Sequence, residues 1–78
     1  MKIFVDDAGR IKDVNTTENP DLTELDIDDE TNPFEGWSDL KICCYKVQIS
    51  DGQVISMTPY VDSNLIDLFD KIGKILEG

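Results

Sequence analysis

The chain of 78 residues contains no histidine, and its only two cysteines, Cys43 and Cys44, are neighbours. Neighbouring residues of an extended strand point to opposite faces, so this pair cannot cross-link distant segments. A structural zinc site needs spaced pairs of cysteine or histidine. We therefore interpret both cysteines as small apolar side chains in a reducing compartment. A redox-active pair would need a cation or helix N-terminus nearby to lower a thiol pKa.

Long apolar runs are also missing. No stretch approaches the roughly 20 apolar residues of a membrane-spanning helix. Only three apolar residues separate Lys2 from Asp6, so no signal peptide is predicted. We expect a soluble protein with no membrane partner that is cytoplasmic when made.

Basic residues are scarce: 7 Lys and Arg stand against 17 Asp and Glu, a net charge of −10. Residues 1–40 hold 12 acidic and 3 basic residues, whereas residues 41–78 hold 5 and 4. This imbalance disfavours direct binding to nucleic acid or an anionic membrane. The candidate acidic surface consists of Asp21, Glu24, Asp26, Asp28, Asp29 and Glu30.

The sequence carries no nucleophile elbow, phosphate-binding glycine loop or zincin motif. Acidic residues alternate at 26, 28 and 30 as in a calcium loop, but Thr31 stands at the glycine position and Trp37 at the bidentate glutamate position. A solvated acidic loop is the better interpretation. We predict no catalytic, cofactor-binding or metal-binding residue, and hence no enzyme activity.

Apolar periodicity predicts a single α+β domain over residues 1–78, a small, mostly antiparallel sheet of two hairpins with one C-terminal amphipathic helix packed on it (ββ-ββ-α order). The first hairpin spans residues 1–14, with Gly9 left-handed in a three-residue loop and Val5 opposite Ile11. An acidic excursion and turn follow over 15–40. Within it, the Leu25 to Asp28 alternation is either an edge strand or a loop.

The second hairpin spans residues 41–59, with a strand from Ile42 to Ile49. A three-residue loop, Ser50 to Gly52, would pair Val47 with Ile55 and Tyr45 with Met57. We favour this register over a two-residue loop because it places the apolar residues on one face.

A helix is predicted over residues 62–77, with Asp62 as its N-cap. Its apolar face spans about 180° around the helix axis, wider than the roughly 100° stripe of a surface helix. Either this face only closes the core, or it is an oligomeric interface; Gly73 favours close approach by a second chain. The candidate interface consists of Leu65, Ile66, Leu68, Phe69, Ile72, Gly73 and Ile75.

Several stretches carry a resemblance to a known group of proteins: residues 32–37 (NPFEGW), 42–47 (ICCYKV) and 57–63 (MTPYVDS), and the opening MKIFVDD followed by Gly9-Arg10-Ile11. They resemble short uncharacterised proteins of prophages in Gram-positive bacteria, including small proteins encoded near tail-fibre genes. The resemblance implies a phage origin and a tail or fibre role, with no catalytic or binding residue carried over.

Two functions are compatible with these features. The first is a structural or assembly protein of a phage particle, a homo-oligomer or part of a larger assembly, acting through protein–protein contacts of its helix and sheet face. Such a protein would be incorporated in the particle. The second is a soluble acidic inhibitor, a nucleic-acid mimic or anti-defence protein, that blocks a basic groove of a host protein.

Overall fold

A computed structural model describes the backbone of residues 1–77 and the side chains of residues 1–76. It confirms a small α+β fold. Five strands form two antiparallel sheets, and the chain ends in a long helix. The strands are β1 (Lys2–Val5), β2 (Ile11–Val14), β3 (Thr23–Asp26), β4 (Tyr45–Ser50) and β5 (Gln53–Pro59). The helices are α1 (Asp39–Ile42) and α2 (Ser63–Glu77), and a 3-10 turn covers Asp29–Thr31.

The first hairpin forms as predicted. Val5 pairs with Ile11, and Gly9 lies at φ +82° in the loop between them. The Asp6 carboxylate organises this loop by accepting hydrogen bonds from the backbone N–H of Ala8 and Arg10, each at 3.0 Å. An Asp side chain that satisfies such loop donors is a common turn-forming device.

The acidic excursion contributes the third strand of this sheet. β3 pairs antiparallel with β1, which gives the order β2-β1-β3 and makes β3 an edge. Of the two alternatives, the structure therefore has the edge strand, but it covers Thr23–Asp26 rather than Leu25 to Asp28. Its carboxylates Glu24 and Asp26 are exposed, and charged side chains of this kind protect an open edge from pairing with other chains.

The predicted start of the second hairpin is wrong. Residues 39–42 form helix α1 instead of entering the strand, and β4 begins at Tyr45. Ser38 caps this helical turn, because its Oγ accepts a hydrogen bond from the Lys41 N–H at 3.3 Å. The cap outweighs the β propensity of the apolar run that starts at Ile42.

The predicted register of this hairpin is also wrong. Val47 pairs with Met57 and Tyr45 with Pro59, around a two-residue turn of Asp51 and Gly52. Both turn residues have positive φ, +52° and +80°, the conformation of a type I′ turn. A bulge at Ile55 shifts the register beyond Ile49, so Tyr45, Val47, Ile49, Val54 and Met57 still share the core side. Tyr45, Val47, Ile49 and Met57 lie on the predicted apolar face, but Ile55, which was predicted on that face, is 64% exposed at the bulge and Val54 packs on the core instead.

The loop of the first hairpin lies in close backbone contact with β4. The Val47 N–H donates to the Gly9 carbonyl at 2.9 Å, beside an isolated bridge between Arg10 and Lys46. A Cβ added at Gly9 would lie 2.8 Å from the Val47 carbonyl oxygen, closer than real Cβ atoms approach. Gly9 therefore serves both the left-handed turn and the junction.

The core lies between the two sheets and the loop that connects them. Its buried members come from β1, β2 and β4, from the loop segments and from α1. They are Ile3, Val5, Ile11, Val14, Ile27, Phe34, Ile42 and Val47. Phe34 packs edge-on against Trp37, with ring centroids 5.3 Å apart, so the turn at residues 33–36 folds back onto the core as an aromatic anchor.

Helix α2 does not join this core. Its main packing partner is α1, and none of its side chains belongs to the cluster of core residues. Ile66 of α2 is nevertheless buried. We call α1 and α2 together the helical layer. The one-turn helix α1 connects the two regions, since Ile42 is buried in the core while α1 also contacts α2.

Candidate interaction surface on the helical layer

Helix α2 starts where the sequence predicts. The Asp62 carboxylate accepts a hydrogen bond from the Asn64 N–H at 2.8 Å, and the Asp62 carbonyl accepts from the Ile66 N–H at 3.0 Å. This is the geometry of an N-cap residue, which satisfies backbone donors that the first helical turn leaves unpaired. The cap therefore determines the residue at which α2 begins.

Tyr60 holds the segment before α2 against the rest of the chain. Its hydroxyl donates to the carbonyls of Cys43 and, at 3.3 Å, Ile11, while its backbone N–H donates to the Cys44 carbonyl at 3.0 Å. Burial raises the pKa of Tyr60, and the nearby thiols of Cys43 and Cys44 act in the same direction. Tyr60 thus holds the segment that precedes α2 against the residues between α1 and β4.

Around its axis, α2 has three arcs, given the 100° between successive residues. One arc is buried against the chain and holds Ile66, which is 7% exposed, the buried Gly73 and the half-buried Phe69. A second arc is charged and holds Asp67, Asp70, Lys71 and Lys74. The third arc is apolar and faces outward; we call it the apolar arc, and it consists of Leu65, Leu68, Ile72, Ile75 and Leu76.

The apolar arc is open to solvent. Leu65 and Leu68 are 46% and 49% exposed, Ile75 and Leu76 are 81% and 73% exposed, and Ile72 is half-buried. Leu40 of α1 is a further exposed leucine on the same helical layer. In the described part of the chain, Ile55 at the β5 bulge is the one large exposed apolar side chain outside this layer.

The predicted interface residues are therefore divided by the structure. Leu65, Leu68 and Ile75 lie on the exposed arc, with Ile72 at its centre. Ile66 and Gly73 are already covered by this chain, and Phe69 lies between the two arcs. Leu76 and Leu40 were not among the predicted interface residues. The helical spacing of α2 is enough to identify Leu76, whereas Leu40 can be identified only once helix α1 is known.

The acidic surface lies on another element. All six of its residues are exposed, from the approach to β3 through the edge strand and into the 3-10 turn. Lys2 lies 4.0 Å from Glu24 and offsets part of the charge. Among residues 1–76, no group of three or more Asp, Glu, Cys or His side chains has a geometry that could hold a metal ion.

The two cysteines have different surroundings. Cys44 is 2% exposed and its Sγ donates to the Leu40 carbonyl at 3.3 Å, while Cys43 is half-buried at the end of α1. Burial raises the pKa of the Cys44 thiol, the opposite of what a reactive thiol needs. Neither cysteine forms a disulfide within the described residues.

Compared with models of known protein families, with curated protein sequences and with solved structures, the chain matches none. Within the described residues, no helix is long and apolar enough to cross a membrane. The surfaces themselves are therefore the basis for any functional proposal.

Proposed function

We propose that this chain is a non-enzymatic assembly protein of a phage particle, associated with the tail or fibre, that acts by binding protein through the apolar arc of α2. The observation that carries the proposal is the exposure of Leu65, Leu68, Ile75 and Leu76 on one side of a helix whose other side is already packed. Contiguous exposed apolar surface on a small protein marks an interaction site more often than an idle surface.

The position of the arc supports this proposal. The principal core is built by the two sheets without any side chain of α2, so the apolar arc is not needed to close it. An exposed helix face that is rich in leucine and isoleucine lowers the solubility of the protein, and a binding partner would bury that surface. The shape also fits a recurrent recognition mode, in which an apolar helix face lies in a groove or against another helix.

The phage origin is supported by the sequence resemblance over residues 32–37, 42–47 and 57–63. Tail and fibre components repeat around a symmetry axis, and a small domain with one exposed face suits such repetition. The proposal of a non-enzymatic role is supported by the absence of histidine from the sequence and of any catalytic motif.

The test is the location of the chain in cells that produce the encoding phage. Particles purified on a density gradient are probed with an antibody to this chain, for wild type and for a Leu68→Asp/Ile75→Asp double variant. We expect wild type to band with the particles and the variant to remain in the soluble fraction. An Ile55→Asp variant is the matched control, because Ile55 is exposed on a different element. Wild type found only in the soluble fraction would refute the structural role.

A second candidate function, the acidic inhibitor, is favoured by one observation. Its six acidic side chains are exposed along an edge strand and the following turn, although the N-terminal ammonium group of Met1 forms ion pairs with two of them, Asp26 and Asp29. Closely spaced carboxylates can imitate the charge of a nucleic-acid backbone in a basic groove.

Salt and amide substitution separate the two functions. Binding by charge mimicry weakens steeply with ionic strength, whereas binding through an apolar helix face responds little. Converting Asp26, Asp28, Asp29 and Glu30 to the corresponding amides would abolish inhibition of a DNA-binding host protein, measured by displacement of labelled duplex DNA. An amide variant that still displaces the DNA excludes the mimic.

A further inference from the structure

Four of the five residues of the apolar arc, Leu65, Leu68, Ile72 and Ile75, have the same spacing in both directions along α2. Leu65 and Leu68 are three residues apart, Leu68 and Ile72 four, and Ile72 and Ile75 three. When two such helices run antiparallel, Leu65 of one copy lies opposite Ile75 of the other, and Leu68 lies opposite Ile72. The arc is therefore complementary to itself, the condition for an interface around a two-fold axis.

The charges of α2 favour the antiparallel orientation. Asp67 precedes the midpoint of the arc, and Lys71 and Lys74 follow it. With Leu65 opposite Ile75, Asp67 of one copy lies within one residue of the level of Lys74 of the other, on the charged arcs outside the seam. Parallel pairing would instead set each of these charges level with the same charge of the other copy. Asp70 and Lys74 form an ion pair within the helix at 3.2 Å, while neither Asp67 nor Lys71 takes part in an ion pair among the described residues. Antiparallel helices also align their dipoles favourably.

The helix is a region where two copies of this acidic protein can meet with little local repulsion. The net charge of the chain is −10, and residues 1–40 carry −9 of it. Residues 63–77 contain three acidic and two basic residues, a net charge of only −1. Contact through the acidic surface would instead bring like charges together, a destabilising arrangement.

We propose that a second copy of this chain occupies the apolar arc, with the two α2 helices antiparallel and Leu65 opposite Ile75 across a two-fold axis. This inference rests on the proposed function and specifies the partner of the same surface. Two heptads are a short seam, so the dimer is expected to be concentration-dependent and to respond little to salt.

The experiment exchanges charge between the two paired positions. The variants are Leu65→Glu and Ile75→Lys, both at exposed positions, so that each monomer keeps its fold as measured by circular dichroism. Sedimentation equilibrium of each variant alone is expected to show dimerisation weakened by roughly tenfold or more, because a charge is forced against an apolar side chain. Their equimolar mixture at low salt is expected to recover a heterodimer through one Glu–Lys pair, and to lose it at high salt. Ile55→Glu is the control that leaves wild-type association unchanged.

Two results would overturn the proposed dimer. A mixture that stays monomeric while wild type dimerises would overturn the antiparallel pairing, since parallel helices do not bring positions 65 and 75 together. A wild type that remains monomeric up to about 1 mM would overturn self-association altogether. Dilution of the wild type followed by amide chemical shifts provides a test without any variant: the changes are expected on the residues of the apolar arc. Particle location on the gradient is measured separately, so a chain that is monomeric yet bound to particles leaves the proposed function standing.

Discussion

The β core and the helical layer bury their apolar residues in different ways. In the β core, two sheets enclose side chains such as Ile3, Ile11 and Phe34 that are at most 1% exposed. In the helical layer, α2 buries one arc and leaves another arc of similar width in solvent. From this contrast we expect the β core to supply most of the stability of the fold and the exposed arc of α2 to supply little. Substitutions in the two regions should differ accordingly.

The largest effect is expected from Phe34→Ala. Phe34 is 1% exposed and contacts the rings of Trp37 and Tyr45, so its loss leaves a cavity where three aromatic rings meet. We expect the free energy of unfolding to fall by about 3–5 kcal/mol, measured by urea denaturation. Because small domains are only marginally stable, this variant is expected to be largely unfolded. A well-folded Phe34→Ala protein would mean that this aromatic cluster is not needed to hold the core together.

A smaller effect is expected from Gly9→Ala at the contact between the sheets. The new Cβ would meet the Val47 carbonyl oxygen at 2.8 Å and would also occupy a residue at φ +82°. Gly36→Ala is the matched control, because Gly36 has φ +83° but no atom near its added Cβ. We expect about 1 kcal/mol of destabilisation at Gly36, from backbone strain alone, and clearly more at Gly9. Equal losses at the two glycines would contradict the close approach of the sheets.

Tyr60→Phe tests the link between the β core and the helical layer. The substitution removes the donor to the Cys43 and Ile11 carbonyls and is expected to cost about 1–3 kcal/mol. Thermal melting followed by circular dichroism measures the loss. A shift within experimental error would show that this hydroxyl does not hold the segment before α2.

The same residue predicts a dependence on alkaline pH. Burial raises the pKa of Tyr60 above its ordinary value of 10.0, so the folded state holds its proton more tightly than the unfolded state. The contribution to stability is complete below pH 10.0 and is lost as the pH rises through the folded pKa. Urea midpoints measured from neutral to alkaline pH should fall less steeply for Tyr60→Phe than for wild type. Parallel curves would count against the raised pKa.

The smallest effect is expected on the apolar arc. Ile75 is 81% exposed, so Ile75→Ala should change the free energy of unfolding of the monomer by less than about 0.5 kcal/mol. The measurement is a denaturation curve at low protein concentration, with Ile66→Ala from the buried arc as the comparison. A loss at Ile75 as large as that at Ile66 would mean that the chain itself covers the arc.

Local pattern predicted much of this fold. Alternation and turn residues located the first hairpin with its correct pairing of Val5 and Ile11, and helical spacing with the Asp62 cap located α2. The same reasoning was wrong about the start and register of the second hairpin, because a short apolar run such as Ile42 to Tyr45 fits a strand and a helix end equally well. The bulge at Ile55 lets a two-residue turn and a single apolar face coexist, a solution that alternation alone does not reveal.

The candidate surface shows the same limit. The sequence predicts a single wide apolar face on α2 and leaves open whether that face closes the core or forms an interface. Only the packing of α2 against α1 separates Ile66 and Gly73, which are buried, from Leu65, Leu68 and Ile75, which are exposed. Leu40 could not be selected beforehand, because it belongs to a helical turn that the sequence did not predict.

The sequence by itself determined the α+β class, the excess of acidic charge in the first half and the amphipathic character of α2, because each depends on composition or on a short period along the chain. The tertiary structure decided which arc of α2 faces the chain, how the two hairpins share a core at Gly9 and Val47, and where α1 stands between them. These features depend on contacts between residues far apart in sequence, and no local period carries that information.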